Sequence, residues 1–199
     1  MRSQRWAPLL IGAVVFGLYA ITRTAAHSGD DIQWMMRVEQ AVTGVVVPHP
    51  ASTSSPDDAW STPGAAALQP RYYLALPSAA LAVHGARALG WSGPSITPVQ
   101  LLHALWGALG IVWFFLAMRR VVGPTWSALT ALGLSTSYAW WYYGTHADYL
   151  MPAQALSALF LYALVRTLDD RNRFGQVKIE QRPPASSGDL VTFRGFTFF

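Results

Sequence analysis

The chain has 199 residues, of which 52% are hydrophobic and only 12% are charged, and it contains no cysteine. Because a soluble domain usually carries about 25% charged residues, this composition indicates a membrane protein. The lack of cysteine excludes disulfides and thiolate metal sites. The net charge of +4 is not arranged as a basic patch with interleaved aromatic residues, so we expect membrane lipids and no nucleic acid as partners.

The N-terminal segment is predicted to be a first transmembrane helix with a cytoplasmic N-terminus. Arg2 and Arg5 precede an apolar run over residues 6–22. A signal peptide cleaved near Ala25 and Ala26 is the alternative. The apolar core of such a peptide typically has about 7–15 residues, which is shorter than this run. We therefore expect an uncleaved span.

A long polar loop follows, and its beginning is predicted to be an amphipathic helix. Over residues 30–42 the apolar positions recur with a helical period and share one face. That face comprises Trp34, Met35, Val38, Ala41 and Val42. Residues 48–70 are rich in Pro, Ser, Thr and Asp and are predicted to be irregular.

Three further apolar segments are candidate spans. Residues 98–118 and 124–143 carry no charge, and each opens with a proline, which suits the first turn of a helix. Residues 149–165 form a shorter candidate. The apolar pattern is lost after Phe174, so residues 171–199 are predicted to be an irregular or disordered tail.

The segment 72–90 is apolar but contains Pro77, His84 and Arg87, so its placement depends on charge. If every apolar segment crossed, Arg119-Arg120 would lie outside, against the positive-inside rule. If 72–90 lies in the outer interface or re-enters it, all basic clusters face the cytoplasm. We prefer this second arrangement.

The predicted fold is therefore an all-α, polytopic transmembrane bundle with juxtamembrane amphipathic helices in the first outer loop. Its parts are the N-terminal end and first span (1–22), the outer loop with amphipathic and in-plane or re-entrant segments (23–97), the spans (98–118, 124–143 and 149–165, within 98–170) and the tail (171–199).

The acidic pair Asp30-Asp31 is the first candidate for chemistry. Asp30 as an N-cap with Gln33 three residues later is a capping box, and Asp31 in the first turn favours the helix dipole. A helix N-terminus also keeps a carboxylate ionised and oriented, as a general base requires. The two interpretations are compatible, and caps are the commoner role.

The connector between the last two candidate spans supplies further polar groups. Asp148 is placed at the membrane surface, where a solvated loop carboxylate is the ordinary interpretation. His146 and Tyr149 flank it, and a His-x-Asp pair has donor atoms that suit a divalent metal or a phosphate-linked sugar. Two ligands alone do not define a metal site, so the cofactor is left open.

Other polar residues are weaker candidates. His49 lies between two prolines and would reach the same outer pocket, although an exposed loop histidine is the simpler interpretation. Arg71 and Arg87 flank the segment 72–90 and suit either phosphate binding or interfacial snorkelling. His103 lies within a candidate span, where we expect a hydrogen bond inside the bundle.

In the order of these parts the chain resembles the GT-C superfamily of polytopic glycosyltransferases, which includes protein O-mannosyltransferases and aminoarabinose transferases. A first span is followed by Ser28-Gly29-Asp30-Asp31 and an amphipathic helix, then by the His49-Pro50 element. The segment that opens with Tyr72-Tyr73 comes next, then two spans joined by Arg119-Arg120, and finally the connector with Asp148.

The resemblance implies transfer of a sugar from a polyprenyl-phosphate donor at the outer face of a membrane, which we expect to be the inner membrane of a bacterial cell. It implies that Asp30 is the catalytic base, Asp31 its neighbour and Asp148 a second acid. His146, His49, Arg71 and Tyr149 are then candidate substrate-binding residues. The sugar and the acceptor are not specified.

Two departures from the family pattern bear on activity. Residues 51–69 separate the His-Pro element from the aromatic segment, and family members have about ten or more spans. We therefore expect the chain to be the N-terminal portion of such an enzyme, inactive in isolation. The alternative is a small non-enzymatic multi-pass membrane protein or an assembly subunit.

Overall fold

The computed structural model describes residues 6–23, 29–44, 74–147 and 150–180, with side chains for all of these except 29–33 and 172–180. In this part of the chain every regular element is an α-helix, which confirms the predicted all-α class. The helices are α1 (Ala7–Ile21), α2 (Gly29–Thr43), α3 (Ala75–Ala88), α4 (Ile96–Val122), α5 (Pro124–Thr136), α6 (Tyr138–Thr145) and α7 (Leu150–Glu180).

Two of the described helices are long and apolar enough to cross a membrane: α4 and the part of α7 from Leu150 to Arg171. The 27 residues of α4 extend about 40 Å at 1.5 Å per residue, against about 30 Å for the hydrocarbon core of a bilayer. Helix α1 is apolar but has only 15 residues. The polytopic arrangement therefore stays a prediction.

The predicted span 124–143 is not one continuous helix. Ser137 adopts an extended conformation, with φ −62° and ψ 143°, and separates α5 from α6. Its hydroxyl donates to the carbonyl oxygen of Leu134 at 2.7 Å, and Thr136 donates to that of Leu132 at 3.0 Å. Such side-chain bonds compete with the helical backbone bonds, and this explains the break inside an uncharged stretch.

Close contacts at glycines define the directions of the long helices. Along α1 and α4, Gly12 faces Val112 and Tyr19 faces Gly107, so these two helices are antiparallel. Helix α7 lies against α4 in the parallel sense, because Gly110 of α4 faces Ala155 and Arg120 of α4 is paired with Asp169. Small residues at these crossings let the backbones approach closely, as in membrane bundles.

A hydrophobic cluster joins α2 and α3 to the start of α4. Its buried members include Trp34 and Val38 of α2, and Met35 and Val42 of the same helix pack against it. The predicted apolar face of α2 is therefore the one that is buried, except that Ala41 is exposed. Helix α3 has 14 residues and packs on α2 and α4, so it lies at one end of the long helices.

The opposite end of the bundle is charged. Arg120, near the end of α4, forms a 2.7 Å ion pair with Asp169 of α7, and Arg166 lies 3.9 Å from Asp170. Helix α7 continues to Glu180, so residues 171–180 are helical where the sequence predicted an irregular tail. Polar residues end an apolar pattern, but they do not by themselves end a helix, because many polar side chains have good helix propensity. Residues 181–199 lie outside the described residues.

Candidate functional site

The acidic pair lies in the first turn of α2. The helix begins at Gly29, one residue before the predicted cap, so both Asp30 and Asp31 are within the helix. Carboxylates in this turn interact favourably with the helix dipole. Their side chains are outside the described part of the structure.

Four other predicted site residues also lie outside the described residues: Asp148, Tyr149, His49 and Arg71. His146 is described, and so is Ala147, which directly precedes Asp148. The geometry of the candidate site is therefore built from His146 and the residues around it.

The ring of His146 is held by the last turn of α6. Its Nδ1 lies 2.9 Å from the carbonyl oxygen of Tyr142, and the two rings are stacked with their centroids 3.9 Å apart. Because a carbonyl oxygen only accepts, Nδ1 carries the proton and donates it. The lone pair of the neutral ring is then on Nε2, the nitrogen that would accept a proton or bind a ligand.

The backbone of His146 is held from α4. Nδ1 of His103 lies 2.9 Å from the carbonyl oxygen of His146, and the side chain of His103 is fully buried. The same argument assigns the proton to Nδ1 of His103. The expected hydrogen bond of His103 inside the bundle is thus present, and its acceptor is the first residue of the connector to α7.

Helix α6 is also fixed to its neighbours by aromatic side chains. Trp141 donates from Nε1 to the hydroxyl of Thr22 at 3.0 Å, and Trp140 donates from Nε1 to the carbonyl oxygen of Gly107 at 3.3 Å. The buried ring of Tyr19 packs against Gly144. These aromatic contacts therefore hold α6 beside α1 and α4.

The connector and α2 lie at the same end of the molecule. Ala147 is fully buried and belongs to the same hydrophobic cluster as Trp34 and Val38 of α2 and Val99 of α4. The structure thus brings the helix that carries Asp30-Asp31 to the end of the bundle where the connector containing Asp148 begins. It does so at the end opposite the Arg120–Asp169 pair.

Arg87 of α3 is another polar residue at this end, and its contacts are with the protein. Arg87 forms a 3.2 Å ion pair with Glu39 and donates to the hydroxyl of Ser95 at 3.0 Å, so it ties α3 to α2 and to the start of α4. Among the residues that the structure describes, no group of three or more His, Asp or Glu side chains could hold a metal ion.

Sequence reasoning missed the role of Tyr142 in holding His146. The signal was available in the sequence, because residues four apart on a helix are neighbours and an aromatic pair at this spacing stacks.

Comparisons of the chain with protein-family models, with curated proteins and with solved structures found no match.

Proposed function

We propose that the chain is an integral membrane protein in which α1, α4, the α5–α6 pair and α7 cross the bilayer. Large apolar side chains on the outside of the bundle support this, among them Leu9 (65% exposed), Trp126 (66%) and Phe160 (70%). Only 22% of the apolar window of α7 is buried, whereas the core helix of a soluble protein is mostly buried. Exposed apolar side chains in this number suit contact with lipid.

The proposed orientation is supported by the directions of the helices and by the positions of the basic residues. Because α1 is antiparallel to α4, its start lies at the same end as Arg119-Arg120 and the charged turn of α7. The positive-inside rule then assigns this end to the cytoplasm. In this orientation the cluster of α2 and α3 and the connector that begins at His146 lie at the outer face of the membrane. We propose that this membrane is a bacterial inner membrane.

The protein acts, in this proposal, as a membrane glycosyltransferase or as the N-terminal part of one. The observation that carries it is the shared cluster of Trp34, Val38 and Ala147, which joins the helix of the acidic pair to the connector of the second acid. The substrate class comes from the resemblance to GT-C enzymes. The donor is a polyprenyl-phosphate sugar, and the acceptor carries a hydroxyl group.

The proposed reaction is an inverting transfer. Asp30 takes the proton from the acceptor hydroxyl, and the acceptor oxygen attacks the anomeric carbon. The bond from that carbon to the phosphate oxygen breaks, and its electron pair stays on the polyprenyl phosphate. In this proposal Nε2 of His146 accepts a hydrogen bond from a hydroxyl group of the donor sugar, and Asp31 and Asp148 are further candidate acids.

The test is sugar transfer from a radiolabelled polyprenyl-phosphate sugar in membranes that contain the protein. General bases contribute about 10²–10⁴-fold, so Asp30→Asn should lower the rate by at least about 100-fold. Asp170→Asn is the matched control, because Asp170 is an exposed carboxylate at the opposite end and its removal should leave transfer unchanged.

Two outcomes argue against this proposal. Equal transfer by the wild type and Asp30→Asn would remove the assigned base. No transfer by the wild type, together with co-purification of a large partner protein, would favour the assembly subunit instead.

A further inference from the structure

We propose that His103 is a positioning residue for the candidate site and that it acts by fixing the backbone of His146. The expected effect of His103 on catalysis rests on the proposed function. The role of His103 in holding His146 does not depend on that function. The carrying observation is the 2.9 Å contact between Nδ1 of His103 and the carbonyl oxygen of His146, across 43 residues of sequence.

The bond joins the first third of the long helix α4 to the first residue after the short helix α6. Helix α6 ends at Thr145, and His146 has extended backbone angles, with φ −97° and ψ 160°. Its carbonyl group therefore points out of the α6 hydrogen-bond pattern and needs a donor from elsewhere. A buried carbonyl group without a donor is costly, so the ring of His103 determines where the connector leaves α6.

Two successive contacts connect His103 to Nε2 of His146. His103 fixes the carbonyl group of His146, and the carbonyl oxygen of Tyr142 fixes its imidazole ring through Nδ1. Backbone and ring of His146 are thereby held by two different helices, α4 and α6. Nε2 of His146 is left with one orientation, as a preorganised site requires.

Side-chain shape provides matched variants. The amide nitrogen of asparagine occupies nearly the place of Nδ1, so His103→Asn keeps a donor for the carbonyl oxygen of His146. His103→Leu fills the same space without a donor. The two variants separate the hydrogen bond from simple packing.

The chain has no cysteine, so a single introduced thiol reports on one position. We would label Ala147→Cys with a water-soluble maleimide in membranes containing the full chain. Ala147 is fully buried, and loss of the bond should raise the labelling rate about tenfold in His103→Leu. His103→Asn should label at nearly the wild-type rate.

Ala79→Cys is the matched control, because Ala79 has the same side chain, is equally buried and belongs to the same cluster, but lies on α3. If His103→Leu raises labelling at Ala147→Cys and leaves Ala79→Cys unchanged, the connector is what His103 holds. If labelling rises at both positions, or at neither, the positioning role of His103 is wrong.

Transfer kinetics provide the second measurement. His103→Leu should lower kcat about tenfold with KM within about twofold, and His103→Asn should restore kcat. The labelling rates decide the role of His103 whether or not the wild-type chain transfers sugar, because an N-terminal portion is expected to be inactive in isolation. A rise in KM at unchanged kcat would overturn the positioning role.

Discussion

The hydroxyl group of Tyr19 donates a 2.6 Å hydrogen bond to the carbonyl oxygen of Ser135, and this bond joins α1 to the break between α5 and α6. In a continuous helix the carbonyl group of Ser135 would accept from the backbone four residues later. The extended conformation of Ser137 removes that donor, and Tyr19 replaces it from another helix. Both residues are fully buried, so the replacement takes place where water is excluded.

Removal of this hydroxyl group should destabilise the bundle. Tyr19→Phe leaves a buried carbonyl group without its donor, and we expect a loss of about 1–2 kcal/mol in the free energy of unfolding. Thermal unfolding of the purified protein in detergent measures the change. Tyr138→Phe is the control, because Tyr138 is 74% exposed and its loss should change stability by less than about 0.5 kcal/mol. Equal effects would contradict the assigned role of the Tyr19 bond.

The ring of Tyr19 requires glycine on both sides. A Cβ atom at Gly107 would lie 2.9 Å from the ring, and one at Gly144 would lie 2.8 Å from it. We expect Gly107→Ala and Gly144→Ala each to cost about 1–3 kcal/mol, since overpacking displaces a buried ring.

A glycine without close neighbours outside its own helix tests whether crowding causes the expected loss of stability. Apart from its chain neighbours and its own helix backbone, no atom of the described residues lies within 4 Å of a Cβ atom built at Gly133. Gly133→Ala should therefore stabilise α5 by up to about 1 kcal/mol through helix propensity. The same unfolding experiment serves for all three variants, and stabilisation by Gly107→Ala would contradict the packing around Tyr19.

The contact of α2 with the rest of the molecule depends on Trp34. This side chain is 2% exposed and lies in the cluster with Val38 and Ala147. Trp34→Ala should remove about 3–5 kcal/mol from that cluster. Because α2 packs mainly on α3, we expect faster amide hydrogen exchange in α2 with unchanged exchange in α4.

An exposed position on α2 provides the comparison for Trp34→Ala. Ala41 is exposed, so Ala41→Ser should leave the exchange of α2 unchanged. Faster exchange throughout α4 and α7 in Trp34→Ala would mean that the cluster is part of one cooperative unit with the long helices, against this prediction.

The sequence predicted those features that depend on local pattern. The helical period over residues 30–42 indicated which face of α2 is buried, and Trp34 and Val38 are indeed buried. A proline after Gly123 marked the start of α5 at Pro124. These signals are local because helix propensity and amphipathic spacing act over a few residues.

Features that depend on long-range packing were not predictable. No Gly or Pro lies within three residues of the break at Ser137, and the sequence hints at it through the run Ser135-Thr136-Ser137. Hydropathy does not register hydroxyl groups that bond back to the helix. The contact of Tyr19 with Ser135 spans 116 residues, and the bond of His103 to His146 depends on how α4 meets α6.

The arrangement in the membrane can be tested with thiols at the two ends of α4. Ser92 precedes α4 and Thr125 follows it, and both residues are exposed. With α3 in the outer interface and α4 crossing, Ser92→Cys should react with an impermeant maleimide in intact cells. Thr125→Cys should react only after the membrane is permeabilised, because it lies close to the Arg119-Arg120 pair, which this arrangement assigns to the cytoplasm.

The pattern of labelling separates the alternatives for α3 and α4. Reaction of Ser92→Cys from the cytoplasm alone would mean that residues 72–90 cross the membrane, and the preferred arrangement would be wrong. Reaction of both thiols from one side would mean that α4 does not cross, although its 27 residues are long enough. Reaction of Ser92→Cys from outside and Thr125→Cys from inside would place the cluster of α2 and the His146 connector at the outer face. That is where a lipid-linked sugar donor must be met for the proposed transfer to occur.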